Sequence, residues 1–172
     1  SALPLRIYRN TRLTLADGAV IRRAGNGTML LNGDAGQPLG GYTGHGSLII
    51  EGGTWDSQAV QYPTSAMCIS IGHAEDVTIR DTTIKDVCGF HGIELNSTRR
   101  ARITRVTALG YKDPDGTRSF SEAFQLDLAK GSAYFGGFGP YDDTPCTDIL
   151  IEGCSVGPSG TSGTTSWPRA AG

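Results

Sequence analysis

The residues with the clearest chemical potential are two carboxylates, Glu94 and Asp127, each in a short segment of alternating apolar and polar residues, 92–96 and 123–127. Successive side chains of a β-strand point to opposite faces, so both carboxylates point outward if their apolar neighbours are buried. On stacked strands the Cα atoms of Glu94 and Asp127 would lie roughly 8 Å apart. Carboxylates about 6.5–9.5 Å apart can act as general acid and general base in the hydrolysis of a glycosidic bond.

Other polar residues flank this pair. His91 precedes the Glu94 strand and could hydrogen-bond a sugar or tune the carboxylates, while Asn96 and Gln125 would line the same outward face. Glu122 holds the position that His91 occupies one coil earlier, so the two side chains could form a hydrogen-bonded pair, and Glu122, like Asn96 and Gln125, is a candidate substrate-binding residue. The alternatives are a bond that only orders the turn and, for the two carboxylates, an ordinary solvated face.

A Gly- and aromatic-rich segment, around 129–147, is predicted to be a loop inserted between coils. Long loops in compact domains often carry function, and aromatic side chains in this one could stack on sugar rings. The alternative is that the aromatic residues cover the flank of the fold and the acidic residues cap a turn. The candidate substrate-binding residues here are Lys130, Tyr134, Tyr141, Asp142 and Asp143.

The elements that position these residues repeat along the chain. One apolar series recurs after 29, 24 and 48 residues, the last interval being twice 24, and a second series recurs after 24 and 31. Periods of this size in β-forming residues predict a solenoid, here an all-β parallel β-helix with at least two strands in each coil. The first series is Ile50, Ile79, Ile103 and Ile151, and the second is Ile69, Ile93 and Phe124.

The repeat also predicts the domain organisation. Residues 1–156 form the coils, and the Gly-, Ser-, Thr- and Pro-rich segment 157–172 is expected to be an irregular tail. No amphipathic helix precedes the first strands, so the solenoid is expected to lack one or both caps. Such a solenoid could be a fragment, or could associate with itself or with a complementary chain through its uncapped ends.

The net charge, the length of the apolar runs and the number of cysteines limit the kinds of binding partner and cellular location that the chain can have. The 172 residues carry a net charge of −2, which gives no attraction toward nucleic acid or an anionic membrane, and no apolar run is long enough to cross a bilayer. The four cysteines are compatible with two disulfides of undetermined pairing in a secreted protein, or with buried free thiols.

Two further sets of charged residues, one of arginines and one of aspartates, each have more than one interpretation. The basic cluster of Arg99, Arg100, Arg102 and Arg105 could bind uronate or sulfate groups, or could be a solvated face. A calcium site that combines Asp113 with Asp76, Asp81 or Asp86 is possible, but the spacing is not diagnostic, and no metal ligands are assigned.

Segments 5–21 and 44–56 look like the first coils of a polygalacturonase. Through them, and up to about Val156, the chain resembles the right-handed parallel β-helix superfamily of pectin-degrading enzymes, the polygalacturonases and pectate lyases. Residues 89–92 only approximate the Gly-His-Gly motif of polygalacturonases, and their Asn-Thr-Asp and Arg-Ile-Lys motifs are missing. The resemblance therefore implies the fold, with a carbohydrate groove along one sheet, and does not imply polygalacturonase activity.

These observations predict an extracellular, polysaccharide-active enzyme, a glycoside hydrolase in which Glu94, Asp127 and His91 are catalytic and no cofactor is required. Two alternatives stay open. One is a polysaccharide lyase acting on uronate glycans, in which Lys130 or an arginine removes a proton with calcium as a helper. The other is a noncatalytic glycan-binding or structural β-helix module.

Overall fold

The chain coils into a right-handed parallel β-helix in which each complete coil adds one strand to each of three parallel sheets. The computed structural model describes residues 4–118, 120–132 and 139–172. Among these residues, no helix has the length and apolar character needed to cross a bilayer.

The described residues contain sixteen strands, numbered in chain order, which divide among the three sheets. The first sheet contains β1 (Leu5–Ile7), β4 (Leu30–Asn32), β7 (Ile69–Gly72), β10 (Ile93–Asn96), β13 (Glu122–Asp127) and β16 (Arg169–Ala171). The second contains β2 (Arg12–Thr14), β5 (Leu48–Glu51), β8 (Glu75–Arg80), β11 (Arg99–Thr104) and β14 (Thr147–Glu152). The third contains β3 (Val20–Arg22), β6 (Thr54–Asp56), β9 (Thr83–Cys88), β12 (Thr107–Lys112) and β15 (Ser155–Gly157).

The aliphatic series read from the sequence forms ladders through the interior. Ile50 pairs with Ile79, and Ile79 with Ile103, in direct register. Ile93 pairs with Ile69 on one side and with Phe124 on the other. All of these side chains are buried, so each contributes about 1.5–3 kcal/mol of burial free energy and holds the coils in register.

The 48-residue interval is one enlarged coil and not two. Ile103 pairs directly with Ile151, so no strand of the second sheet lies between them. The additional length lies in two connections, 113–121 and 128–146, on either side of β13. The spacing of the apolar residues could not distinguish one enlarged coil from two coils of ordinary length, because in both cases these residues face the interior.

The corner between the second and third sheets depends on left-handed backbone. Gly52, Asp81, Arg105 and Gly153 follow one another at this corner with φ of 78°, 52°, 52° and 62°. The Arg105 guanidinium bridges to the previous coil, with Nε and Nη2 donating to Asp81 Oδ1 and Oδ2 at 2.6 and 2.9 Å. The two non-glycine residues thus combine an unfavourable conformation with a bidentate contact between coils.

The basic cluster is largely paired. Arg99 and Arg100 both donate to Glu75, at 2.8 and 2.9 Å, and Arg105 bonds Asp81 as described. The hydrogen bond from Arg99 is the main cause of a lowered pKa of the Glu75 carboxyl. Of the four arginines only Arg102, in the shallow groove that Thr78 and Asp148 also line, pairs with no acidic side chain of the described residues. A solvated, internally paired face describes this surface better than an anion site.

The segment 157–172 is not an irregular tail throughout. It contains β16, in which Arg169 pairs with Glu122 and Ala171 with Phe124. Trp167 is buried just before this strand, with its ring centroid 5.0 Å from that of Tyr111. The short Arg-Ala-Ala strand lacks the alternation that marks the other strands, so the sequence pattern did not reveal it.

The four cysteines are free thiols, of which Cys68 and Cys88 are buried. Leu150 and Val156, on the edge strands β14 and β15, are both 36% exposed. Self-association, or a complementary chain, at an edge of the solenoid stays a prediction.

Replacing Gly52 by alanine should destabilise the protein more than replacing Gly18. Both glycines have a left-handed φ, 78° and 74°, but a Cβ on Gly52 would meet the backbone oxygen of Leu15 whereas a Cβ on Gly18 meets nothing. We expect a loss of about 1 kcal/mol for Gly18→Ala from backbone strain, and about 2–4 kcal/mol for Gly52→Ala from strain plus overpacking. Urea unfolding midpoints measure the difference, and equal losses would show that the contact with Leu15 is not tight.

Candidate functional site

The outer face of the first sheet brings the predicted polar residues together. Glu94 lies opposite Ser70 on one side and Gln125 on the other, and Asn96 lies opposite Asp127. Glu94 and Asp127 are therefore diagonal neighbours on adjacent coils. This is the relation that alternation and stacking predict.

The expectation that this face is open to solvent is wrong. Glu94 is 2% exposed and Asn96 is 0% exposed, and described residues of the connection between β13 and β14 pack against this sheet. Ala129, in that connection, packs on Leu31 of β4, two strands beyond β10. We call the described parts of 128–146 the cover segment.

The cover segment is fixed to the end of β10. The Ser97 hydroxyl accepts a hydrogen bond from the Ala129 N–H at 2.9 Å and donates one to the Thr144 carbonyl at 2.6 Å. The Cys146 Sγ contacts the carbonyl oxygens of Leu95 and Asp127 at 3.3 and 3.2 Å. One polar side chain therefore ties both ends of the segment to the sheet.

Burial changes the acid–base behaviour of Glu94. The loss of solvent raises the pKa of its carboxyl to about 7, the neighbouring Ser70 and Asn96 oppose the rise, and the negative charge of Asp127 adds to it. Ser70 Oγ donates to Glu94 Oε2 at 2.8 Å. Near neutral pH, Glu94 can therefore hold or release a proton, as a general acid must.

Two amide side chains on this face have unused hydrogen-bonding capacity. The Asn96 Oδ1 and Gln125 Oε1 atoms are buried and have no hydrogen-bond partner among the described residues. The Asn96 Nδ2 atom is also buried, and although the Asn96 amide favours the ionised form of Glu94, Nδ2 makes no hydrogen bond of normal geometry to the described residues. Leaving a buried polar group unsatisfied costs about 1–3 kcal/mol. These atoms could bind hydroxyl groups of a ligand.

His91 and Glu122 lie next to each other, as predicted. The Glu122 backbone N–H donates to His91 Nδ1 at 3.3 Å, and the Glu122 carboxyl oxygen Oε2 lies 3.3 Å from the same nitrogen. Burial lowers the pKa of His91 to about 4, so the ring is neutral at pH 7 and its hydrogen is on Nε2. The contact is therefore not an ion pair. Burial also raises the pKa of Glu122, while the charge of Arg169 opposes the rise.

Sequence reasoning missed a neighbouring group, which we call the Phe–Arg cluster: Phe90, Arg118, Phe120 and Arg169. The Arg118 guanidinium carbon lies 4.2 Å from the centroid of the Phe90 ring, and that of Arg169 lies 4.7 Å from the centroid of Phe120. Phe120 is 69% exposed. Phe90 and Phe120 are separated along the chain by nearly the same interval as His91 and Glu122, and this shared interval could have predicted that the two phenylalanines lie near each other. Arg169 lay in the segment 157–172, which was expected to be an irregular tail.

The candidate binding residues of the loop have different surroundings. Asp142 accepts hydrogen bonds from the Thr144 N–H at 3.1 Å and the Gly41 N–H at 2.6 Å, so it caps a turn and joins two connections. Its burial favours a raised pKa, but these bonds make the net shift downward. Lys130, Tyr141 and Asp143 are exposed, and Tyr134 lies outside the described residues.

The aspartates considered for calcium have other partners. Asp76 pairs with Arg100 and Asp81 with Arg105, while Asp86 accepts from Thr161 at 2.7 Å. Asp113 accepts backbone N–H bonds within its own turn. In the part of the chain that is described, no three or more His, Cys, Asp or Glu side chains converge as metal ligands.

The raised pKa of Glu94 gives a signed pH dependence of stability. The folded protein holds this proton more tightly than the unfolded chain, so the contribution is fully present below about pH 4.5 and is lost as the pH rises through about 7. Glu94→Gln is neutral at every pH, so its stability relative to the wild type should rise by about 3 kcal/mol between pH 5 and pH 8.

Urea unfolding of both proteins across this range measures the difference in their free energies of unfolding. The titration of other groups, including the effect of His91, which has the opposite sign, is common to both proteins and cancels in this difference. A difference that does not change with pH would show that Glu94 titrates normally.

Comparisons with known proteins bear on the fold. No protein-family model matches the chain, and no curated protein does. Among solved structures, the chain is similar to PfbA, a surface adhesin of Streptococcus pneumoniae, with a TM-score of 0.76 and 19% sequence identity. The match covers 93% of this chain and 40% of that one, so the chain spans less than half the length of PfbA. At this identity the likeness shows the fold alone, which is the right-handed parallel β-helix.

Proposed function

We propose that this chain is a noncatalytic, glycan-binding segment of a β-helix protein that is displayed outside the cell. The observation that carries the proposal is the Phe–Arg cluster, in which an exposed phenylalanine ring has a guanidinium held over it. The face of an aromatic ring can pack on the apolar face of a sugar, and a guanidinium donates several hydrogen bonds to sugar oxygens.

The surroundings of the cluster support this function. Arg118 has no acidic partner among the described residues, and the side chain of Arg169 is 49% exposed although it approaches Glu122. Both guanidinium groups therefore keep donors for a ligand. The neutral His91 beside them can donate from Nε2. The streptococcal chain that shares the fold is a surface adhesin, which agrees with a role in binding at a surface.

The burial of Glu94 favours binding over turnover. A general acid must come within hydrogen-bonding distance of the oxygen that it protonates. The Glu94 carboxyl is covered and hydrogen-bonded to Ser70, so a glycan on the exposed cluster does not reach it. Binding without cleavage is the simpler consequence of this geometry.

The test is a glycan array containing neutral, uronate and sulfated glycans, followed by product analysis of every glycan that binds. We expect binding with no new reducing ends and no ultraviolet absorbance from an unsaturated product. Phe120→Ala should weaken binding about tenfold, a loss of about 1.4 kcal/mol, because the stacking surface is removed.

Tyr8→Ala is the matched control, since Tyr8 is also an exposed aromatic residue but follows β1, at the opposite edge of the first sheet from Phe120. It should leave affinity unchanged. If no glycan binds, or if Tyr8→Ala weakens binding as much as Phe120→Ala, the proposal is wrong.

A second candidate function is glycoside hydrolysis, which the protonatable Glu94 beside the charge of Asp127 favours. It requires the cover segment to move away from the sheet. In this case the wild type releases reducing ends, and both Glu94→Gln and Asp127→Asn abolish the release without preventing binding. Release that persists in both variants would assign the cleavage to other residues, and release of an unsaturated product would indicate a lyase.

A further inference from the structure

Two asparagine–glycine pairs lie close together in the sequence, Asn26-Gly27 and Asn32-Gly33. In such a pair the backbone nitrogen of the glycine can attack the side-chain amide of the asparagine, because glycine has no Cβ to hinder the approach. The two pairs have the same local chemistry, so a large difference in their reactivity would come from the fold.

The first pair lies in a bend between β3 and β4. Asn26 is exposed, and neither its side-chain amide nor the Gly27 N–H hydrogen-bonds to the described residues. Gly27 has a φ of 120°, and a Cβ built on it would meet nothing within 4 Å. The bend therefore has room to change conformation without displacing a neighbour.

The second pair is held by the surrounding coils. Asn32 is completely buried at the end of β4, and its Nδ2 donates to the carbonyl oxygens of His45 and Gly72, both at 2.9 Å. Its Oδ1 accepts from the Gly72 N–H at 2.8 Å, and the Gly33 N–H donates to the Ile7 carbonyl at 2.8 Å. The attacking nitrogen and the amide are thus both engaged, so reaction at this pair requires local unfolding.

We propose that Asn26 is a site of spontaneous deamidation in the folded protein, and that the fold protects Asn32 from the same reaction. This inference does not rest on glycan binding. It requires no reactant besides the chain itself and water.

The reaction begins when the Gly27 nitrogen loses its proton to solvent base and attacks the Cγ carbon of Asn26, forming a new C–N bond. The bond between Cγ and Nδ2 then breaks, and the amide nitrogen takes a proton from solvent and leaves as ammonia, which produces a cyclic succinimide. Water opens this ring. Hydrolysis at the side-chain carbonyl gives aspartate, and hydrolysis at the main-chain carbonyl gives isoaspartate, with nothing oxidised or reduced.

The modified chain should keep its fold. Each conversion adds a carboxylate to a chain whose net charge is already −2, and isoaspartate adds a carbon atom to the backbone of the bend. The position of β4 is set by the pairing of Leu30 with Ile69 and of Leu31 with Ser70, which lie outside the bend. Protein aged until Asn26 is converted should therefore have the urea unfolding midpoint of fresh protein.

The test is prolonged incubation of the native chain, followed by trypsin digestion and fragmentation mass spectrometry of the peptide 24–80, which contains both pairs. We expect Asn26 to convert at least about tenfold faster than Asn32, because Asn32 reacts only from locally unfolded states. Labelling by an isoaspartate methyltransferase should place isoaspartate at residue 26, which direct hydrolysis of the amide cannot produce. Absence of conversion at Asn26, or equal rates at the two residues, overturns the proposal.

The chain unfolded in guanidinium chloride is the matched control, since it contains both pairs without the fold. Asn26 and Asn32 should convert there at similar rates. If Asn26 keeps its full advantage in the unfolded chain, the neighbouring sequence controls the rate and the proposed protection by the fold is wrong.

Asn26→Gln provides an independent check in the folded protein, because glutamine forms the corresponding larger ring far more slowly. The acidic species that accumulates in the wild type, separated by ion-exchange chromatography, should be absent from this variant. An acidic species that accumulates equally in both proteins would show that the modified residue is not Asn26.

Discussion

The architecture depends on parallel, in-register pairing of coils around an interior ladder of aliphatic side chains. Because Ile93 pairs with both Ile69 and Phe124, the strands of three successive coils cannot slip without exposing apolar side chains. The alternation along each strand then decides which residues can share the outer face. A register shift of one residue would move Glu94 into the interior, so the position of every polar residue on the face follows from the ladder.

Burial has two opposing effects on the outer face of the first sheet. It keeps a substrate away from Glu94, yet it also shifts pKa values in the way that acid–base catalysis uses. The burial that removes Glu94 from solvent also raises the pKa of its carboxyl. At the edge of the face, burial lowers the pKa of His91 and keeps the ring neutral. Both effects disfavour the ionised form of the side chain, and both follow from desolvation. Near neutral pH the charge on this face is therefore reduced at Glu94 and His91, while the negative charge of Asp127 persists beside Glu94.

Sequence reasoning predicted the fold almost completely and the site only in part. The ladder and the stacking of Glu94 beside Asp127 could be predicted, because alternation and period are local properties that the sequence displays. The burial of Glu94 could not, because alternation predicts the face on which a side chain lies and not what packs over that face. The same limit applies to β16, whose pairing with β13 depends on a three-residue strand without alternation.

The Phe–Arg cluster and the cover segment lead to different functional interpretations, and exposure decides between them. In the proposed binding mode, a glycan would contact Phe120 and the two guanidinium groups, which lie at the amino ends of β10, β13 and β16. Glu94, by contrast, is 2% exposed, and a substrate could reach its carboxyl only after an opening of the residues that cover it. A protein that used Glu94 in catalysis would need that opening in every cycle, whereas a binding protein needs only the exposed cluster. The proposed binding at the edge of the sheet therefore needs only the conformation described, whereas catalysis by Glu94 would need a second conformation in which its carboxyl is accessible.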